Sequence, residues 1–207
     1  MVSIPKARYV HSETYSRCTG HDTTVTVAGT WTRKFLEPLL TNKNFMNNTL
    51  VMVTFDENHT YGKQNRVVSI LLGDAVPANL VGTTDNAYYN HYSEISTVQA
   101  NWGLHTLGRW DVGANVFKFV AAKTGDTVRA WSGKVPFSNM YFNASYAGKL
   151  SNKNTSVPWP VPNTNAVFAG RSVLPAITDT WGKQVGQSAY TTALEIPDGM
   201  HPEAEFK

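Results

Sequence analysis

The chain has one cysteine, Cys18, which leaves no partner for an internal disulfide and too few thiolates for a cysteine-rich zinc module. No apolar run reaches the roughly 18 residues of a membrane-spanning helix, so no membrane insertion is expected. Charge is also scarce: 16% of the 207 residues are charged and the net excess is +3. The longest basic run is Arg33-Lys34. A nucleic-acid binder gathers its cations on one face, so no nucleic-acid partner is expected. Residues 1–17 carry Lys6, Arg8 and Arg17 without the apolar stretch of a signal peptide. A Gly-rich phosphate loop, a G-x-S-x-G elbow and an H-E-x-x-H pair are all missing.

Apolar side chains are plentiful. At 42% hydrophobic the chain is too apolar to stay disordered. Its length suits one large domain, or two small ones at a stretch, and a compact fold of this size buries about 70% of its unfolded surface. Four Asn-x-Ser/Thr sequons, at Asn47, Asn58, Asn143 and Asn154, combine with low charge and many aromatics to suggest a secretory origin. No internal repeat is visible.

Asp22 or Thr23 predicts the start of a helix running to about Leu40, with Val27, Trp31, Phe35 and Leu39 on its inner face and Pro38 ending or kinking it. The runs TLVMVTF (49–55) and RVVSILL (66–72) read as buried strands, the second closed by Gly73. The polar loop between them lies at a strand's C-terminal end, the edge where open α/β sheets bind ligands. After a loop over 81–90, a helix is expected from Tyr92 or Ser93 to Trp102 with Ile95, Val98 and Trp102 inward. Another is expected over 111–120 with Val112, Val116, Phe117 and Val120 inward. From about Thr124, Pro, Asn, Ser and Gly dominate, as in SVPWPVPNTN, and predict an extended, strand-poor appendage. Trp31, Trp102, Trp131 and Trp159 read as core residues.

The acidic pair Asp56-Glu57 follows the first strand directly, with Asn58 behind it. Two adjacent carboxylates are costly to bring together unless a cation neutralises them. A hard divalent metal is one solution; a solvated turn stabilised by Asp and Asn is the other. His21, in His21-Asp22-Thr23, opens the first helix and either meets a phosphate oxygen beside the helix N–H groups or is an incidental neighbour of the cap. His91 stands before the second helix and either completes a metal or proton-donating site or packs among Tyr88, Tyr89 and Tyr92. His59 adjoins the acidic pair as a weaker candidate, and His11, His105 and His201 read as surface residues. Arg109 and Asp111 are expected to pair near a helix start.

Four segments in order carry a resemblance: HDTTVTVAGTW, TLVMVTFDENHTYGKQNRV, GTTDNAYYNHYSEISTVQANWGL and LGRWDVGANVF. Together they resemble the fungal secreted acid phosphatases, of the phosphoesterase family that also contains bacterial phospholipases C, in the alkaline-phosphatase-like superfamily. NASYAG, PVPNTNAVFAGRSVLPAI and ALEIPDGM are similar to the C-terminal region of the fungal branch. The resemblance covers roughly residues 20–200. It implies an α/β fold: the C-terminal part of an alkaline-phosphatase-like sheet flanked by helices over 21–123, an atypical segment over 1–20, and the appendage over 124–207 packed on the same domain.

The resemblance also implies roles. Asp56 and Glu57 would ligate a catalytic divalent metal ion; His21 would contact the phosphoryl group or protonate the leaving alcohol; His91 falls at a metal-site or phosphate-site position. The substrate would be a phosphate monoester, and the location secreted or vacuolar. Two departures accompany it. Family members run to about twice this length, and neither their early Glu-Asn metal motif nor their hydroxyl nucleophile is found here. The chain therefore reads as a C-terminal half, with the missing N-terminal half as a possible partner. A phospholipase C-type phosphodiesterase and a non-catalytic metal- or phosphate-binding remnant remain alternatives. DENHTY lacks the Gly-rich, aromatic continuation associated with the phospholipases.

Overall fold

The computed structural model describes residues 23–56, 67–109, 111–112, 114–128 and 162–184. They form a mixed α/β fold with helices and two small antiparallel sheets. The chain divides into two compact units, the first holding residues up to Val53 together with Ser69–Asn79, the second Thr54–Val68 and the chain from Leu80 onward.

In the first unit, α1 spans Val25–Leu40 and is capped by Thr24, whose hydroxyl accepts from the Val27 N–H at 3.3 Å. A threonine oxygen at this position satisfies one of the amides that a helix start leaves open. Pro38 sits inside the last turn without ending the helix, which runs two residues further. The expected inner stripe is corrected: Val27, Trp31 and Phe35 are exposed, and the half-buried residues are Ala28, Thr32, Leu36 and Leu39. Trp31 and Phe35 stack on each other, with ring centroids 5.2 Å apart. Next, α2 is a single turn, Lys43–Met46, capped by the Asn42 side chain. Among the described residues of this unit, Met46 is the buried apolar side chain.

The two strands expected from the sequence exist but are short. β1 is Val51–Val53 and β2 is Ile70–Leu72, paired antiparallel with Val51 opposite Leu72 and Val53 opposite Ile70. β1 is half-buried throughout, and in β2 Ile70 is exposed while Leu71 and Leu72 are half-buried. Gly73 follows β2 at φ +107°, and a Cβ there would run into the Thr49 carbonyl and the Met46 side chain. Only glycine combines that dihedral with that approach.

In the second unit, α3 spans His91–Trp102. Asn90 caps it by accepting from the Tyr92 N–H at 2.9 Å, while Ser93 accepts from the Asn90 N–H at 3.2 Å. Its buried face is polar and small: Ser93, Ser96, Thr97, Gln99 and Ala100. Ile95, Val98 and Trp102 are exposed, Trp102 by 67%, which corrects the expected inner face. Small side chains let the helix approach its neighbours closely, and their hydroxyls find partners there. Ser96 donates to the Asp111 carbonyl at 2.6 Å, Thr97 donates to the Ser93 carbonyl at 2.6 Å, and the Phe117 N–H donates to the Thr97 hydroxyl at 3.0 Å. Each buried polar atom so paired avoids a desolvation penalty.

α4 is Lys118–Thr124, so the described residues 111–112 and 114–117 are not helical as expected. The inward set is nonetheless correct, since Val112, Val116, Phe117 and Val120 are all buried. The reason lies in Asp111, 1% exposed, whose carboxylate collects the N–H groups of Leu107 at 2.6 Å and Arg109 at 2.9 Å. A backbone turned around a carboxylate cannot also start a helix there. What Asp111 takes from Arg109 is a backbone amide, in place of the expected side-chain ion pair. The start of α4 lacks a cap from its own Phe117. Instead the Lys118 N–H donates to the Tyr89 hydroxyl at 3.0 Å, which itself donates to Asp85 at 2.7 Å.

Residues 162–184 add β3 (Val167–Phe168), β4 (Arg171–Ser172) and α5 (Pro175–Trp181), the last begun by proline at its first position. This segment is joined to α3's exit by a parallel bridge between Thr106 and Val173. It is also locked by an ion pair between Arg171 and Asp126 at 2.6 Å, with the Asp126 side chain 1% exposed. Gly108, at φ +73°, lets the Asn163 N–H reach its carbonyl at 2.8 Å; a Cβ there would meet the Asn163 oxygen. Trp131, Trp159 and Cys18 lie outside the described residues.

Candidate functional site

β1 ends at Val53 and the chain continues through Thr54 and Phe55 to Asp56. Thr54 donates its hydroxyl to the Val68 carbonyl at 2.9 Å. Asp56 is exposed. His91 is the first helical residue of α3, and its Nε2 lies 3.3 Å from the Phe55 carbonyl oxygen. A carbonyl only accepts, so Nε2 carries the hydrogen and a neutral ring keeps its lone pair on Nδ1. His91 is thereby tethered to the backbone one residue before Asp56, although 36 positions separate it from Phe55. His21 and Glu57 lie outside the described residues, as do Asn58 and His59.

Among the described residues no group of three His, Cys, Asp or Glu side chains is placed to hold a metal ion. Asp56 and His91 are the described members of the predicted set. His105 is exposed as expected, yet it has neighbours: its Nδ1 lies 3.2 Å from the Ser172 carbonyl and 3.3 Å from the Ser172 hydroxyl.

The helix that presents His91 is held by residues that sequence reasoning undervalued. Asn115 donates its amide to the Tyr88 carbonyl at 2.9 Å, and Gln99 donates to Asp111 at 2.9 Å. Burial pushes the Tyr89 phenol up, reinforced by its hydrogen bond to Asp85. Burial likewise pushes Tyr92 up, with Arg109 acting against it. Both rings are therefore neutral donors or packing surfaces rather than bases. The available signal was Asp85-Asn86 and Asp111 in turn-rich surroundings, where carboxylates gather backbone amides.

The phosphoesterase family matches residues 2–105 of the chain, half its length, and the chain belongs to that family. The matched stretch contains His21, Asp56, Glu57 and His91, and takes in the N-terminal segment that the sequence reading set apart. Among curated proteins, the phosphate-repressible acid phosphatase of Penicillium chrysogenum is 47% identical over 86% of this chain and 42% of its own length. The acid phosphatase of Aspergillus niger is 44% identical over 84% of this chain and 42% of its own. The probable acid phosphatase of Kluyveromyces lactis is 45% identical over 90% and 44%. The resemblance to fungal acid phosphatases is thus borne out. The chain spans a little over two fifths of the length of these relatives. No solved structure matches it.

Proposed function

We propose that this chain is the C-terminal half of a metal-dependent acid phosphatase with an alkaline-phosphatase-like fold, and that it contributes the acidic pair and two histidines to phosphate monoester hydrolysis. On this reading residues 21–123 form the partial catalytic domain and 124–207 pack on it. The carrying observation is the tether from His91 Nε2 to the carbonyl of Phe55, the residue before Asp56.

The donor chemistry fits a hard divalent ion: Asp56 is an exposed carboxylate at a strand end and Glu57 adjoins it. Such an ion, when bound, would offset charge on the phosphoryl oxygens and lower the pKa of a hydroxyl nucleophile. His91 holds its Nε2 hydrogen on the Phe55 carbonyl, which leaves Nδ1 as the atom able to give or take a proton. His21 protonates the leaving alcohol, a role that suits acidic solution because an imidazole is charged below about pH 6.5. The chain lacks the nucleophile, which the remaining half of the enzyme supplies. The protein works as a secreted or vacuolar glycoprotein.

Calorimetric titration with Mn²⁺ or Mg²⁺ tests the acidic pair, with binding expected and weakened in Asp56→Ala and Glu57→Ala. An aryl phosphate at acidic pH is expected to turn over little with this chain alone. Turnover should rise when the remainder of a relative is supplied as a second polypeptide. Absence of binding at millimolar metal would overturn the metal site. Strong turnover by the single chain, lost in Asp56→Ala, would overturn the missing nucleophile. Preferential cleavage of a choline phosphodiester would favour a phospholipase instead.

A further inference from the structure

Of the four sequons, Asn47-Asn48-Thr49 is the one whose three residues are all described. We infer that Asn47 is an acceptor for N-linked oligosaccharide, an inference that rests on the secretory part of the reading above.

The local fold separates Asn47 from its surroundings. It follows Met46, the buried side chain of α2, yet is itself exposed. Its backbone N–H closes the helix on the Lys43 carbonyl at 3.0 Å. Its side-chain amide makes no hydrogen bond among the described residues, so conjugating that nitrogen removes nothing from the fold. Asn48 occupies the left-handed region at φ +63°, a conformation that asparagine tolerates better than most residues. The chain therefore reverses at the sequon, and the Thr49 N–H returns to the Met46 carbonyl at 2.9 Å. A bulky, hydrated glycan belongs on such a surface turn.

The Thr49 hydroxyl donates to the Phe45 carbonyl once the turn is formed. Transfer therefore takes place on the entering chain, before that bond closes. The donor is a lipid-linked oligosaccharide diphosphate. The Asn47 amide nitrogen attacks the anomeric carbon, the nitrogen–carbon bond forms, the carbon–oxygen bond to the diphosphate breaks, and the amide proton passes to a base of the transferase.

The full chain, preceded by a cleavable secretion leader, is translated into microsomes beside a standard acceptor protein carrying the same leader. Glycosidase release in ¹⁸O water should convert Asn47 to labelled Asp in the tryptic peptide 44–63, which also holds Asn58 and so requires fragment-ion assignment. Asn47→Gln should lose one glycan's increment in gel mobility, and Thr49→Ser should keep it. An unlabelled Asn47, or Asn47→Gln migrating with the wild type, would overturn the proposal while the standard acceptor is modified. Because the leader supplies entry, failure of natural secretion would leave this result unchanged and would appear only in fractionation of the native host.

Discussion

Two helices in two units were expected to turn an apolar stripe inward, and neither does. In the first unit, α1 has no fully buried residue and leaves Phe35 55% exposed. In the second, α3 also shows its apolar residues to solvent but buries a mostly polar face, of which Ser96 and Gln99 are hydrogen-bonded to Asp111. One helix rests on its own cap and local pairs such as Arg33–Glu37. The other is fixed by specific partners distant in sequence. The lesson is that periodicity identifies a helix, while the face it buries depends on what the neighbouring segment offers to bind.

The contrast can be broken most severely at Arg171. Arg171→Met would leave the enclosed Asp126 carboxylate without its cation, and a loss of about 4 kcal/mol is expected for the second unit, because removing one partner strands a buried charge. Denaturant melts would measure it, and hydrogen exchange in α1 should not change. Asp111→Ala should cost about 3 kcal/mol, since amides of Leu107, Arg109 and Gln99 all lose a charged acceptor. Asp111→Asn should recover part of this, because its carbonyl oxygen still accepts.

Tyr89→Phe is a milder test and should cost about 1 kcal/mol through the freed Lys118 amide. The same tyrosine predicts a pH effect. Its folded-state pKa lies above the ordinary 10.0, as does that of Tyr92. The neutral phenols therefore stabilise the fold fully below pH 10, and that contribution is lost as pH rises through the folded values. In an absorbance titration, these two should ionise above the pH at which a free tyrosine does, or together with unfolding. The smallest effect is expected at Thr24→Ala, about 0.5–1 kcal/mol, read as faster exchange in the first turn of α1. A comparable loss in both units after this substitution would refute the local role of the cap.

The elements were more legible than their packing. The bounds of α1 and α3 follow from caps and period and fall within two residues of those expected. The strands were recognisable from Val, Ile and Leu, but their ends were overrun because the residues flanking them satisfy other partners, as Thr54 does with Val68. Between Asp111 and Phe117 the described inward residues agree with expectation and the helix does not, since burial pattern carries no information about a carboxylate that captures backbone amides. Asp56 and His91 stood out as residue types beside a strand and a helix. Their connection through the Phe55 carbonyl is a tertiary contact with no local signature. His21 and Glu57, outside the described residues, remain part of the proposed site on the strength of their place in the matched family segment.

The borrowed cap of α4 has a consequence for the order of folding. Seven residues make too short a helix to persist alone, because nucleation is costly and few bonds repay it. The hydroxyl that receives its first amide belongs to Tyr89, 29 positions earlier. α4 should therefore gain about 1 kcal/mol once the segment before α3 has settled. Protection against exchange at Lys118–Thr124 is then expected to report in part on residues 85–90 and not on the helix alone.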